Sequence, residues 1–218
     1  MTPAEHPLAA ILEAAARGRF PPPDGVVEIL PPPGGTADAV CAFTAHSAVA
    51  VNLPEKEIRA HLDPDDFGAS MSATFLAWVA DRLGRAPGVL DNVLVMPARP
   101  HATAPIGLGR RDDLMGHSRV GRAARYRTDV RVYTDETGAG VLVIGRGLVG
   151  RWEMAFEVAP EARGRGLGRA LAAAAPTLIP EGEHLFAEAS PGNAASVRAV
   201  LAAGYLPIGS ECLFARGG

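Results

Sequence analysis

Lysine is almost missing from this chain, with Lys56 standing alone against 20 arginines. A Walker-type phosphate loop needs a Lys followed by Ser or Thr, so that chemistry is excluded. Cysteine is scarce too. Cys41 and Cys212 lie far apart, each in an expected strand, which fits buried free thiols in a reducing compartment better than a disulfide framework. No apolar run is long enough for a bilayer, and no basic-then-apolar segment opens the chain. A cytoplasmic protein with no membrane partner is expected. The net charge of −3 gives no global pull toward nucleic acid, and no helix-turn-helix pattern supports one. The arginine surplus goes with abundant Ala and Gly and is first a matter of base composition.

What is present suits one large domain or two small ones: 218 residues with 48% hydrophobic content. A short helix is expected over 7–17, then a strand over 26–30 bracketed by two triple prolines. Strands are expected over 39–44 and 48–51, with His46 as a turn residue between them. Helices are expected over 54–62 and 70–83; in the second, Met71, Phe75, Leu76, Trp78, Val79 and Leu83 mark a core-facing side. A strand over 89–96 follows. Residues 97–109 hold three Pro and two Gly, the best linker in the chain. The organisation read from this is an N-terminal α/β region over 1–97, a linker over 98–117 and a C-terminal domain over 118–218. At the start of the last, Arg119, Arg122 and Tyr126 share a helical face, read as solvated or as a wall helping to hold an acidic ligand.

From Val130 the pattern sharpens. Strands over 130–133, 140–148 and 151–158 form an antiparallel meander, followed by a helix over 166–175, a strand over 185–189, a helix over 193–203 and a closing strand over 206–214. Asn193 stands where it caps its helix and Gly204 where it stops it. Between Val158 and the Ala-rich helix runs Arg163-Gly164-Arg165-Gly166-Leu167-Gly168-Arg169. A strand, a Gly/Arg turn and a helix N-terminus make an anion site, because unpaired first-turn N–H groups and the helix dipole both favour negative charge. Glycines let the backbone approach a phosphate, and arginines add forked donors. The alternating glycines, late in the chain, do not fit the dinucleotide fingerprint.

The run Arg163-Gly164-Arg165-Gly166-Leu167-Gly168 resembles the Arg/Gln-x-x-Gly-x-Gly signature of the GNAT superfamily of acyl-CoA-dependent N-acyltransferases. A second block, from Glu188 through Asn193 and Ser196 to Gly204-Tyr205, resembles that family's late strand, the Asn that starts its last helix, and the Gly-aromatic pair that closes it. The resemblance covers about residues 118–218. It implies an α+β (α/β) fold, a mixed and mostly antiparallel sheet with helices on both faces. Residues 1–97 would then be an acceptor-side wall or a degenerate GNAT-like half.

The resemblance also implies acetyl-CoA as cosubstrate, no metal, and an amine of a small molecule or protein as acceptor, in a monomer or homodimer. The strand before the signature would splay from its neighbour and offer the backbone of Glu157 and Val158 to the pantetheine arm. Arg163, Gly164, Arg165, Gly166, Leu167, Gly168 and Arg169 would hold the pyrophosphate, with Asn193 and Ser196 beside the arm. Transfer from a thioester to an amine needs a neutral amine, a stabilised oxyanion and a leaving thiolate, usually protonated. Candidate bases are Glu188, favoured by its position five residues before Asn193, then Glu157 and Glu153. One departure stands out: the family commonly has a Tyr acid seven residues after the Asn, and this chain has Val200. An acyl-CoA-binding module with little catalysis is the competing reading, and a nucleic-acid-associated protein resting on arginines 110–131 a weaker one.

Overall fold

The computed structural model describes residues 5–216, so the outermost ends of the expected spans 1–97 and 118–218 lie outside the described residues. In chain order the elements are α1 (Pro7–Ala16), β1 (Val27–Leu30), β2 (Ala37–Phe43), β3 (His46–Ala50), α2 (Glu55–Ala60), α3 (Ala73–Leu83) and β4 (Leu90–Pro97). Then follow β5 (Gly109–Arg110), α4 (Ser118–Ala124), β6 (Thr128–Thr134), β7 (Gly140–Arg146), β8 (Trp152–Val158), α5 (Leu167–Ala174), β9 (His184–Ala189), α6 (Ala194–Ala202) and β10 (Leu206–Ala215). Among the described residues no helix is long and apolar enough to cross a membrane. The chain divides into two compact units. One holds the residues up to Asn92, Leu148–Gly150 and those from Ile208 on; the other holds Val93–Gly147 and Arg151–Pro207.

In the first unit the strands run β1-β3-β2-β10, with β1 parallel to β3 and the other pairs antiparallel. Ile58 of α2 and Phe75, Leu76, Val79 and Ala80 of α3 cover Val40, Val49, Cys212 and Phe214. Each large side chain so buried contributes about 1.5–3 kcal/mol. Both cysteines are buried and neither is in a disulfide. Burial is the first cause that pushes the Cys212 thiol up to about 11, so it stays protonated and inert. The helix expected over 70–83 starts later. Ser70 belongs to a 3-10 turn and donates to the Ser47 hydroxyl at 2.8 Å, while Ser72 caps α3 by accepting from Phe75 N–H at 3.2 Å.

His46 is a second correction. The turn is Thr44-Ala45, with Ala45 in the left-handed region at φ 49°, and His46 opens β3 as a buried residue. Its Nδ1 lies 2.9 Å from Asp24 Oδ1 and its Nε2 2.9 Å from Glu28 Oε1. Two carboxylates satisfy a ring that a turn would have left in water. Asp38, fully buried on β2, is likewise paired with Arg85 and with Arg216, the latter at 2.5 Å.

In the second unit the order is β4-β9-β8-β7-β6-β5, with the meander β6-β7-β8 antiparallel and β8 parallel to β9. Alternation along β7 sorts the two faces. Leu142 and Ile144, with Trp152 and Met154 of β8, pack with Leu171 and Ala172 of α5. Val141 and Val143, with Val132 and Ala155, pack with Val120 and Ala123 of α4. The sheet is mixed and mostly antiparallel with a helix on each face, as expected. The helix carrying Arg119 and Arg122 is shorter than its arginine pattern suggests, and Tyr126 lies beyond its end at Ala124.

Candidate functional site

The loop after β8 folds through a 3-10 turn, Pro160–Ala162, and then two left-handed glycines, Gly164 at φ 74° and Gly166 at φ 85°. Gly166 is the N-cap of α5, and among the described residues no side chain caps that helix. Its first-turn N–H groups therefore face outward, where an anion satisfies them. A Cβ on Gly164 or Gly166 would meet no heavy atom within 4 Å, whereas one on Gly168 would come 3.1 Å from the Phe156 ring. The three glycines thus divide the work: the first two shape an open loop, and the third lets α5 lie against β8. Arg163 ties the loop down by donating from Nε to the Val158 carbonyl at 3.0 Å.

The pairing of β8 with β9 runs from Trp152↔Leu185 to Met154↔Ala187, whereas β8 stays paired with β7 as far as Val158↔Gly140. The two parallel strands therefore part after Met154. A cleft of about 780 Å³ opens there. It is lined from the α5 face by Phe156, Leu167 and Gly168 and from the α4 face by Arg119, Arg122 and Glu157, and so joins the two faces of the sheet. Among the described residues five arginines, Arg119, Arg122, Arg163, Arg169 and Arg198, line it against one carboxylate, Glu157. In a chain of net charge −3 this is a local cationic well, suited to an anion with several charges. Of the residues singled out from sequence, Val158, Gly164, Gly166, Asn193 and Ser196 also line it; Arg165, Glu153 and Glu188 do not.

Arg119 is the strained member. Its Nε is buried without a hydrogen-bond partner among the described residues. Burial first, then the charges of Arg127 and Arg122, hold its pKa below the ordinary arginine value, and Glu157 and Glu188 offset this in part. Arg122 pairs with Glu157 at 3.2 Å across a well-exposed surface.

Glu153 is buried and Glu188 nearly so, and both are locked. Arg127 donates to Glu153 at 2.9 Å and to Glu188 at 2.6 Å; Arg151 donates to Glu153 at 2.9 Å and to Glu188 at 3.2 Å. Burial opposes the charge of Arg127, but the two carboxylates raise its pKa above the ordinary value. Gly145 of β7 and Gly147 just past its end make room for this quartet. A Cβ on Gly147 would sit 2.1 Å from the Glu153 carboxyl carbon, and one on Gly145 would sit 3.1 Å from Arg127 Cβ. Sequence reading missed Arg127 and Arg151; the pair of glycines flanking Arg146 was the signal available.

Asn193 caps α6 by accepting from Ser196 N–H at 3.2 Å, which leaves its amide donor end for a ligand in the cleft. Val200 is buried in the core, while its neighbour Ala199 lines the cleft. Tyr205 is buried as well. Its hydroxyl donates to the Ala172 carbonyl at 3.1 Å, and burial pushes its pKa far up. It cannot protonate a leaving group in the cleft.

Neither a family model nor a curated protein sequence matches the chain. Among solved structures, a GCN5-related N-acetyltransferase from Kribbella flavida aligns at TM-score 0.43 and 17% identity, over 66% of this chain and 64% of that one. An acetyltransferase from the GNAT family of Colwellia psychrerythraea aligns at TM-score 0.40 and 10% identity, over 83% and 81%. A tandem GNAT protein from the clavulanic acid biosynthesis pathway aligns at TM-score 0.40 and 16% identity, over 83% of this chain and 64% of that one. The chain thus spans somewhat less than two thirds of the Kribbella protein's length.

Proposed function

We propose that the chain is an acetyl-CoA-dependent N-acetyltransferase of the GNAT superfamily. The observation that carries the reading is the loop Arg163–Arg169, which folds as two left-handed glycines onto an uncapped helix N-terminus beside the gap between β8 and β9. The residues fit a CoA ester. Gly164 and Gly166 border open space on the cationic cleft, so a phosphate can approach their backbone. Arg163 and Arg169, with the first-turn N–H groups of α5, would hold the pyrophosphate; Arg165 lies outside the lining. The β8 backbone past Met154, Asn193 and Ser196 would hold the pantetheine arm. When bound, the thioester supplies an activated acetyl group.

Of the three candidate carboxylates, Glu157 suits the role of base best. It is the one that lines the cleft, while the oxygens of Glu153 and Glu188 accept from Arg127 and Arg151. In this role it takes the proton that the amine loses, directly or through a water. The departing thiolate is left to water for its proton, since Val200 and Tyr205 face the core.

Those same two residues favour a second reading, a module that binds acyl-CoA and turns it over poorly. Following thioester loss from acetyl-CoA against an amine panel, with wild type and Glu157→Gln, separates the two. Amine-dependent loss that falls about 100-fold or more in Glu157→Gln supports the transferase. Acetyl-CoA binding without amine-dependent loss supports the module.

A further inference from the structure

The arginines of the cleft belong to two groups on opposite faces of the sheet. Arg163, Arg169 and Arg198 come from the α5 loop and α6, whereas Arg119 and Arg122 come from α4. A long ligand with its phosphates at the α5 N-terminus reaches the α4 face only through the gap that opens after Met154, so it arrives there with its far end. Arg119 stands at that end. Its charge interacts with Glu157 and Glu188, on the two strands that border the gap.

Two cations at the reacting end are one more than Glu157 can balance. Arg122 is paired with Glu157, and Arg119 keeps a buried N–H with no acceptor among the described residues. A buried donor of this kind costs free energy until an acceptor meets it. Guanidinium groups match carboxylates in shape, with two parallel N–H donors to two oxygens. Nothing at this end asks for a phosphate, because the phosphates are provided for at the other.

We propose that Arg119 and Arg122 hold a carboxylate of the acceptor, so that the amine acetylated here is an amino acid or another amine bearing an acidic group. This rests on the acetyl-transfer reading of the same cleft.

The test is calorimetry on the CoA-loaded protein, titrated with a ladder of ω-amino carboxylates and with alkylamines of matched chain length. At least one carboxylate should bind about tenfold or more tightly than its matched alkylamine. Arg119→Gln, and separately the more exposed Arg122→Gln, should erase that preference while CoA affinity stays within about threefold of wild type. If CoA binds but carboxylates and alkylamines bind alike, this proposal fails alone. If Arg119→Gln and Arg122→Gln weaken CoA about tenfold instead, the two arginines serve the cofactor and the proposal also fails. If wild type does not bind CoA, the acetyl-transfer reading fails and takes the proposal with it.

Discussion

Glu153 and Glu188 stand on adjacent parallel strands and share the same two guanidinium groups, those of Arg127 and Arg151. A buried quartet of this kind is costly to break, because removing one member leaves the others in low dielectric with unbalanced charge. Arg127→Gln should lower unfolding free energy by about 3–5 kcal/mol in chemical denaturation. Glu188→Gln should also destabilise, yet leave CoA affinity near wild type. A Glu188→Gln protein of unchanged stability and no activity would instead make Glu188 the base.

Gly147→Ala tests the room that the quartet needs. A Cβ there would lie 2.1 Å from the Glu153 carboxyl carbon, so the carboxylate must leave both arginines or the strand must shift. The loss should exceed the roughly 1 kcal/mol by which Gly and Ala differ in ordinary strand and helix positions. Gly164→Ala, on open backbone in the left-handed region, should cost only about 1 kcal/mol.

Asp38 is fully buried between Arg85 and Arg216, whose own side chains reach solvent. Asp38→Asn leaves both arginines without their carboxylate and should cost about 3–5 kcal/mol by thermal or denaturant unfolding. A loss well under about 1 kcal/mol, the range of surface pairs, would show the pairing to be ornamental.

The His46 clamp carries a pH dependence. The hydrogen bond to His46, then that from Val26 N–H, lowers the Asp24 pKa from its usual 3.8. A carboxylate with a depressed folded pKa contributes stability above its unfolded value, and that contribution is lost as pH falls through the folded one. His46→Ala should therefore be less stable than wild type at neutral pH, with the gap narrowing as pH falls below 3.8. A gap that widens toward acid would contradict the assignment.

Val200 is packed among Leu171, Ala187 and Tyr205 in the core of its unit. Val200→Tyr adds bulk to a filled site and should cost about 1–3 kcal/mol. It should bring no gain in turnover, and the wild-type rate should lack the alkaline fall of an essential phenol. A faster Val200→Tyr would mean that α6 can turn this position into the cleft.

The parts legible in sequence were those set by short-range rules. Gly166 before an Ala-rich run, Asn193 three residues before the N–H it caps, and the alternation of β6 to β8 all act within a few positions. What stayed hidden depends on distant pairing. Arg127 meets Glu153 at a separation of 26 residues and Glu188 at 61, so nothing local marks either carboxylate as occupied. His46 looked like a turn residue because Asp24 and Glu28, which bury its ring polarity, lie 22 and 18 positions away. Arg119 reads in sequence as a solvated arginine or as part of a wall for an acidic ligand, and only the assembled sheet brings α4 to the gap after Met154.

The central claim is that the Arg163–Arg169 loop holds the phosphates of CoA, and calorimetric titration of CoA into wild type and Gly166→Asp tests it most directly. Asp tolerates the left-handed backbone at this position better than most residues, so the variant should fold while a carboxylate faces the α5 N–H groups. The account predicts one site per chain and a loss of more than about tenfold, about 1.4 kcal/mol, in Gly166→Asp. A folded Gly166→Asp protein with wild-type CoA affinity would contradict it.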